Sequence, residues 1–386
     1  LPPLLPPRPR PRPRRADYAE IVEGLDDALA ATCGRGFRVT PLARGASLNA
    51  PLGMDPSATI WIKDETGNAG GSHKARHLME VLIHLEVIER LGWTETRGER
   101  TPPLAVASCG NAALAAALLA RAAGRPLDVY IPDDAEAPIL REIRDLGARI
   151  HVCHREAECV GDPCMMRFRR AVAEGAIPFS CQGSENGLVI DGGKTLGLEL
   201  ITQLRENGEL CGHLFLQVGG GALASSVMRA FREWTEAPRN PIAPRFHAVQ
   251  TRSVHPLRLA HDRLEERILE AGGDTALTAE LRHAACHRSE FMRPWKGRLE
   301  SVARGILDDE TYDWRAVLEG LFTSGGLPIV VDDETILEAH SLAREETGID
   351  VSATGSAGLA GLIHLLREEP SIRGESVAVI FTGVER

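Results

Sequence analysis

Short apolar runs alternate with helical periodicities along most of the chain. Leu104–Ala107 is one such run, and apolar residues then dominate positions 112–123 up to Gly124. Leu127–Ile131 is the next. Ile139, Leu140, Ile143 and Leu146 follow at helical spacing and stop at Gly147, and Arg149–Cys153 reads as a strand again. Short apolar runs bounded by turn residues read as buried strands, and apolar positions three and four apart read as one face of a helix. The pattern predicts a βαβαβ unit with parallel strands and right-handed crossovers.

The alternation resumes further on. Leu196, Leu200, Ile201 and Leu204 share a helical face. Leu214–Val218 is a strand, followed by a glycine loop and a helix to about Glu233. Phe246–Gln250, Pro328–Val331 and Ser376–Phe381 are further strands. A helix after Asp333 carries Ile336, Leu337, His340 and Ala343 on one side and stops at Gly348. The fold class expected is α/β, with two open, mostly parallel sheets and flanking helices. Periodicity fades between about Ala271 and Trp314, and that stretch is read as irregular.

Composition removes several classes. The net charge of −10 over 386 residues argues against nucleic acid as a partner. No apolar run is long enough for a membrane span, since even the Ala112–Ala123 stretch contains Arg121. Leu1–Arg15 alternates Pro and Arg, has five arginines and no acid, and is read as a disordered tail without the apolar region of a secretory signal. The eight cysteines show no framework spacing, which fits free thiols in the cytoplasm. His151, Cys153, His154, Cys159 and Cys164 are zinc-ligand types, but no pair has a standard ligand spacing, and no metal is assigned.

Candidate chemistry lies at three strand-to-helix loops and one strand end. Lys74, in Gly71-Ser72-His73-Lys74-Ala75-Arg76, opens a helix whose apolar face is Leu78, Val81, Leu82, Leu85 and Ile88. A helix N-terminus disfavours a cationic amine, and the free amine is what Schiff-base formation with an aldehyde needs. Gly219-Gly220-Gly221-Ala222 follows a strand and precedes a helix, so bare backbone N–H groups can approach a phosphate there. A plain tight turn is the alternative. Ser108-Cys109-Gly110-Asn111 sits in an equivalent place, where Asn111 is either an ordinary helix cap or a donor to a phenolate oxygen. Thr382 follows the last strand, and its hydroxyl can meet a ring nitrogen or face solvent.

These segments together resemble the fold-type II pyridoxal-phosphate enzymes, the group containing tryptophan synthase β, threonine dehydratase and threonine synthase. Lys63-Asp64-Glu65 with Gly71 to Arg76 is similar to their K-x-E…G-S-F-K-x-R segment, and Ser108–Asn111 to their S-[ST]-G-N loop. Gly219–Leu223 is similar to their phosphate loop. Asp191–Thr195 with Glu199 resembles their E-G-x-x-T-x-x-x-E helix start, and Ser356–Gly361 a late S-A-[AG]-L-A-[AG] helix. The order holds from about residue 38 onward.

The resemblance implies that Lys74 holds pyridoxal 5'-phosphate as a Schiff base and moves the Cα proton. It implies that Asn111 bonds the ring oxygen, that Gly219, Gly220, Gly221 and Ala222 bind the phosphate, and that Thr382 faces the pyridine nitrogen. Ser108, Cys109, Gly110 and Asn111 are then the substrate-carboxylate loop. It further implies a larger cofactor domain (residues 16–100 and 185–386), a smaller mobile one (101–184) and a homodimer. His73 stands where most of the family has Phe, Cys109 replaces Ser or Thr, and Thr382-Gly383-Val384-Glu385 only partly matches the threonine synthase T-G-H-G ending.

A neutral hydroxyl at the pyridine nitrogen leaves the ring a weaker electron sink than an aspartate would, which favours loss of a β or γ substituent. The activity expected is an amino-acid lyase of the dehydratase or ammonia-lyase kind, acting on a small amino acid and releasing an oxo acid and ammonia. The alternatives are a threonine synthase-like or cysteine synthase-like replacement enzyme and, from another class, a non-catalytic sensor of the cofactor or an amino acid.

Overall fold

Two sheets organise the chain in the computed structural model, which describes residues 14–93, 101–135, 137–154, 161–209, 211–236 and 243–386. The strands are β1 (Leu42–Arg44), β2 (Ile60–Asp64), β3 (Leu104–Ala107), β4 (Leu127–Pro132), β5 (Arg149–Cys153), β6 (Ile177–Pro178), β7 (His213–Gln217), β8 (Arg245–Thr251), β9 (Pro328–Val331) and β10 (Val377–Phe381). Six form a sheet in the order β1-β2-β10-β7-β8-β9, and four form a second in the order β5-β4-β3-β6. Every pairing is parallel except β1 with β2.

Burial on both faces explains why the central strands β3, β7 and β10 read as mostly apolar runs. Leu214, Leu216, Ala378 and Ile380 enter one core. Phe215, Val377, Val379 and Phe381, their alternates along β7 and β10, enter the core on the other face. In the smaller sheet Leu104 and Val106 face one cluster and Ala105 and Ala107 another.

The helix Lys74–Arg90 packs against the helix Leu188–Glu206, which packs in turn on the helix Ala222–Thr235. Glycine makes the first contact close: a β-carbon on Gly192 would lie 2.4 Å from the Arg76 carbonyl oxygen.

Two expectations change. Residues 271–314 contain the helices Leu277–Cys286 and Arg288–Phe291, and Leu281, Ala284, Phe291 and Met292 join the larger core. The helix Leu277–Cys286 buries only Leu281 and Ala284, too few apolar positions to show a period. At the other end, Arg15 begins the helix Arg15–Cys33 and Arg14 caps it through Asp17, so these two belong to an ordered element. The rest of the Pro/Arg tail lies outside the described residues.

Candidate active site

Lys74 is positioned from two sides. Gly70 and Gly71 take φ of 66° and 68° in the turn that leads out of β2, a left-handed conformation open to glycine at little cost. The turn is then stitched to the end of β10. The His73 N–H donates to the Thr382 carbonyl over 3.1 Å, the Val384 N–H donates to the Gly71 carbonyl over 2.9 Å, and Ser72 pairs with Gly383. The half-buried Lys74 begins the helix directly after His73. Burial, with the Lys74 charge adding to it, holds the imidazoles of His73 and His77 well below the usual range, the latter at about 3. Both are neutral near pH 7, so the cationic partner beside Lys74 is Arg76.

Arg76 anchors this helix in a buried ion network. Its Nε donates to Glu65 Oε2 over 2.8 Å and its Nη1 to Glu199 Oε1 over 2.7 Å. Lys63, fully buried on β2, donates to Glu199 Oε2 over 2.9 Å and to the Thr40 carbonyl over 2.7 Å. Burial penalises the Arg76 cation, but Glu65 and Glu199 outweigh it and hold the guanidinium more firmly charged than usual. Two cations and two carboxylates thus tie β2, the Lys74 helix and the helix Leu188–Glu206 together. This is the physical reason for the K-x-E, K-x-R and distant Glu199 spacing.

The glycine loop follows β7. Gly221 caps the helix Ala222–Thr235 with φ of 95°. A β-carbon there would lie 3.1 Å from Thr311 and 3.2 Å from Asp313. The first N–H groups of a helix have no partner within it, so this end is an anion cradle. The Asp308 carboxyl group packs against it, with Oδ2 3.7 Å from where a β-carbon on Gly220 would lie. Burial pushes Asp308 up to about 6, opposed by the positive charge of Lys74. Burial also pushes Asp313 up to about 6, opposed by the backbone N–H groups of Gly183 and Ser184.

Thr382 is buried at the end of β10. Its hydroxyl accepts from Gln217 Nε2 over 2.8 Å, and Gln217 Nε2 also donates to the Gly355 carbonyl over 2.7 Å. Asn111, from the smaller sheet's side, places its Nδ2 2.8 Å from where a β-carbon on Gly383 would be. Asn111 therefore lies beside Thr382 and the Lys74 turn. Next to it, Ser108 Oγ accepts from the Gly110 N–H over 3.3 Å. Burial, with Asp134, Asp162 and Asp308 nearby, pushes the Cys109 thiol up and keeps it protonated.

The structure thus gathers Lys74, Asn111 and Thr382 at one place, with the Gly219–Ala222 loop and Cys109 linked to it through Asp308. Two participants escape sequence reading. Gln217 follows the apolar run Leu214–Leu216 in the buried strand β7, where an amide needs a polar partner; that anomaly was the available signal. Asp308 sits in the acidic run Asp308-Asp309-Glu310, visible in the sequence but inside the stretch without periodicity.

The zinc-type residues do not gather. His151 Nε2 bonds Asp128 Oδ1 at 2.7 Å and His154 Nδ1 lies 3.2 Å from Asp133 Oδ2, while Cys153 and Cys164 are buried side by side. Cys159 lies outside the described residues. Among the described residues no helix is long and apolar enough to cross a membrane.

Comparison with known proteins adds an independent line. A family model described as pyridoxal-phosphate dependent enzyme matches residues 34–383. The threonine synthase of Methanocaldococcus jannaschii is 23% identical over 345 residues, which is 89% of this chain and 74% of that protein. A serine dehydratase-like protein of Rattus norvegicus is 27% identical over 226 residues, 58% of this chain and 59% of its own length. Among solved structures, diaminopropionate ammonia lyase from Escherichia coli superposes with a TM-score of 0.67 at 18% identity, covering 95% of this chain and 88% of that one. Maize serine racemase superposes with a TM-score of 0.66 at 20% identity, covering 95% and 93%.

Proposed function

Because the chain belongs to the pyridoxal-phosphate-dependent enzyme family, we propose that it is an amino-acid lyase that eliminates a β substituent and releases an oxo acid and ammonia. One observation carries the choice of reaction. The group that would face the pyridine nitrogen is the neutral Thr382 hydroxyl, backed by the neutral amide of Gln217 and, among the described residues, bonded to no carboxylate.

The residues fit the cofactor. The loop Gly219, Gly220, Gly221 and Ala222 suits an anion, because it opens the helix Ala222–Thr235 with unpaired N–H groups and a carboxyl group, that of Asp308, already packs against it. The Thr382 hydroxyl has its acceptor side engaged and its hydrogen free to donate. In this reading Lys74 Nζ would hold the cofactor aldehyde, Asn111 the ring oxygen, the glycine loop the phosphate and Thr382 the ring nitrogen. The bound cofactor supplies the electron sink. Lys74 Nζ takes the substrate Cα proton and hands it on to the departing group. Ser108, Cys109, Gly110 and Asn111 receive the substrate carboxylate. A protonated Cys109 suits that task because a thiolate there would repel it.

The rest of the proposal is coarser. Residues 101–184, which carry β3 to β6, act as a smaller unit that closes on a larger cofactor unit of residues 16–100 and 185–386. The protein works as a homodimer in the cytoplasm, where its free thiols stay reduced. A replacement reaction is the second reading, favoured by the long match to a threonine synthase.

Borohydride reduction followed by peptide mapping tests the core of this: the pyridoxyl label must lie on Lys74 and vanish in Lys74→Ala. Incubation with serine, threonine, diaminopropionate and phosphohomoserine then separates the reactions. Oxo acid and ammonia from one of the first three support the lyase. Phosphate release from phosphohomoserine alone supports the replacement enzyme. Ligand binding without turnover in the parent supports a sensor.

A further inference from the structure

The Asp308 carboxylate lies where a phosphate would approach the Gly219–Ala222 loop. A β-carbon on Gly219 would lie 2.3 Å from Asp308 Oδ2, and one on Gly220 would lie 3.7 Å from the same oxygen. The segment carrying it is fastened on both sides. The Gly305 N–H donates to Thr354 Oγ1 over 3.0 Å, the Trp295 N–H to the Asp309 carbonyl over 2.8 Å, and the Asp313 N–H to the Gly220 carbonyl over 2.9 Å. Arg288 holds the adjoining Glu310 over 2.8 Å. Asp308 therefore cannot drift away from the loop without breaking several bonds.

We propose that Asp308 sets the affinity for the cofactor by competing with its phosphate, so that uptake requires this carboxyl either to gain a proton or to rotate away from the Gly219–Gly220 backbone. The inference rests on Gly219–Ala222 being the phosphate site. Like charges sharing one site cannot both ionise freely, and the surroundings sharpen the conflict. Asp309 on its own segment and Asp162 at the start of the helix Pro163–Ala173 bear the same sign, and Lys74 opposes them. Tyr312, Cys109 and Cys181 nearby are each pushed towards their neutral forms, first by burial, as is Asp313 beside Gly221, which burial raises to about 6. With Asp308 protonated, its O–H can donate to a phosphate oxygen. With Asp308 ionised, it repels the phosphate. Burial has already moved this carboxyl to about 6, so the exchange falls within an accessible pH range.

The test is an equilibrium titration of cofactor-free protein with pyridoxal phosphate, followed by the absorbance of the bound chromophore, in the parent and in Asp308→Asn. The parent-to-variant ratio of dissociation constants cancels the titration of the phosphate and of the imine. It is expected to stay near one at about pH 5 and to reach roughly tenfold at about pH 8. With pyridoxal, which lacks the phosphate, the ratio stays flat. A ratio independent of pH, or weaker cofactor binding by the variant at the alkaline end, overturns the proposal. Asp308→Ser serves if the asparagine variant does not fold. Inorganic phosphate separates this inference from the cofactor assignment. If neither protein forms the chromophore but phosphate raises the melting temperature of the variant more than that of the parent at pH 8, the cofactor assignment falls and the competition stands. If neither ligand distinguishes the two proteins, the competition is wrong.

Discussion

The Gln217 amide donates to the Thr382 hydroxyl over 2.8 Å and thereby decides which way that hydroxyl points. With its oxygen accepting from Gln217, its hydrogen is left to donate, in the proposed reading to the ring nitrogen. Thr382→Val removes the donor, and kcat/KM is expected to fall by roughly 10- to 100-fold, in keeping with the loss of a hydrogen bond in a buried site. Thr382→Ser restores most of it. Steady-state kinetics on the three proteins check this, and equal activity in the valine variant would remove Thr382 from the reaction.

Arg76 neutralises Glu65 and Glu199 where neither can reach bulk water freely. Arg76→Met leaves both carboxylates without their main partner and is expected to cost about 3–5 kcal/mol, the usual penalty for breaking a buried ion pair on one side. Urea denaturation measures it. Loss of the pyridoxyl label at Lys74 should accompany it, since Arg76 lies two residues along the same helix.

Asp313 gives a stability effect with a definite sign. Its carboxyl is raised from 3.8 to about 6 in the folded protein, so between those pH values the folded state binds more protons than the unfolded one. The stability it contributes is complete below about pH 4 and is lost as pH rises through about 6. Asp313→Asn therefore lacks this loss, and the melting temperature of the variant relative to the parent should rise between pH 4 and 7. A relative melting temperature that does not change with pH would contradict the assignment.

Gly192 permits the closest approach between the Lys74 helix and its neighbour. Gly192→Ala forces a methyl group against the Arg76 carbonyl oxygen, 2.4 Å away before relaxation, at a cost of about 1–3 kcal/mol typical of overpacking. Thermal denaturation reads the loss. An unchanged melting temperature would mean that the two helices separate freely.

The sheets were legible because parallel strands covered on both faces write themselves as continuous apolar runs, as Leu214–Leu216 and Val377–Phe381 do. Lys74, Gly219–Ala222, Asn111 and Thr382 were legible for a related reason: each sits at the C-terminal end of a strand or the start of a helix, where turn residues and polar side chains interrupt the period. What stayed hidden depends on distance in sequence. No local pattern says that Gln217 meets Thr382, or that Asp308 turns back onto Gly220, because these contacts are made only once the strands are aligned. The helix Leu277–Cys286 was hidden for the opposite reason: it touches the core through too few side chains to leave a rhythm.

The position of β10 between β2 and β7 has a consequence for synthesis on the ribosome. Every other strand is made before it, so a nascent chain reaching residue 370 holds β2 and β7 with a gap between them. Both then present unpaired backbone edges to solvent. Such a chain is a natural client for chaperones and prone to aggregate if translation stalls there. Insertion of Val377–Phe381 closes the sheet and brings Thr382 into place in the same event.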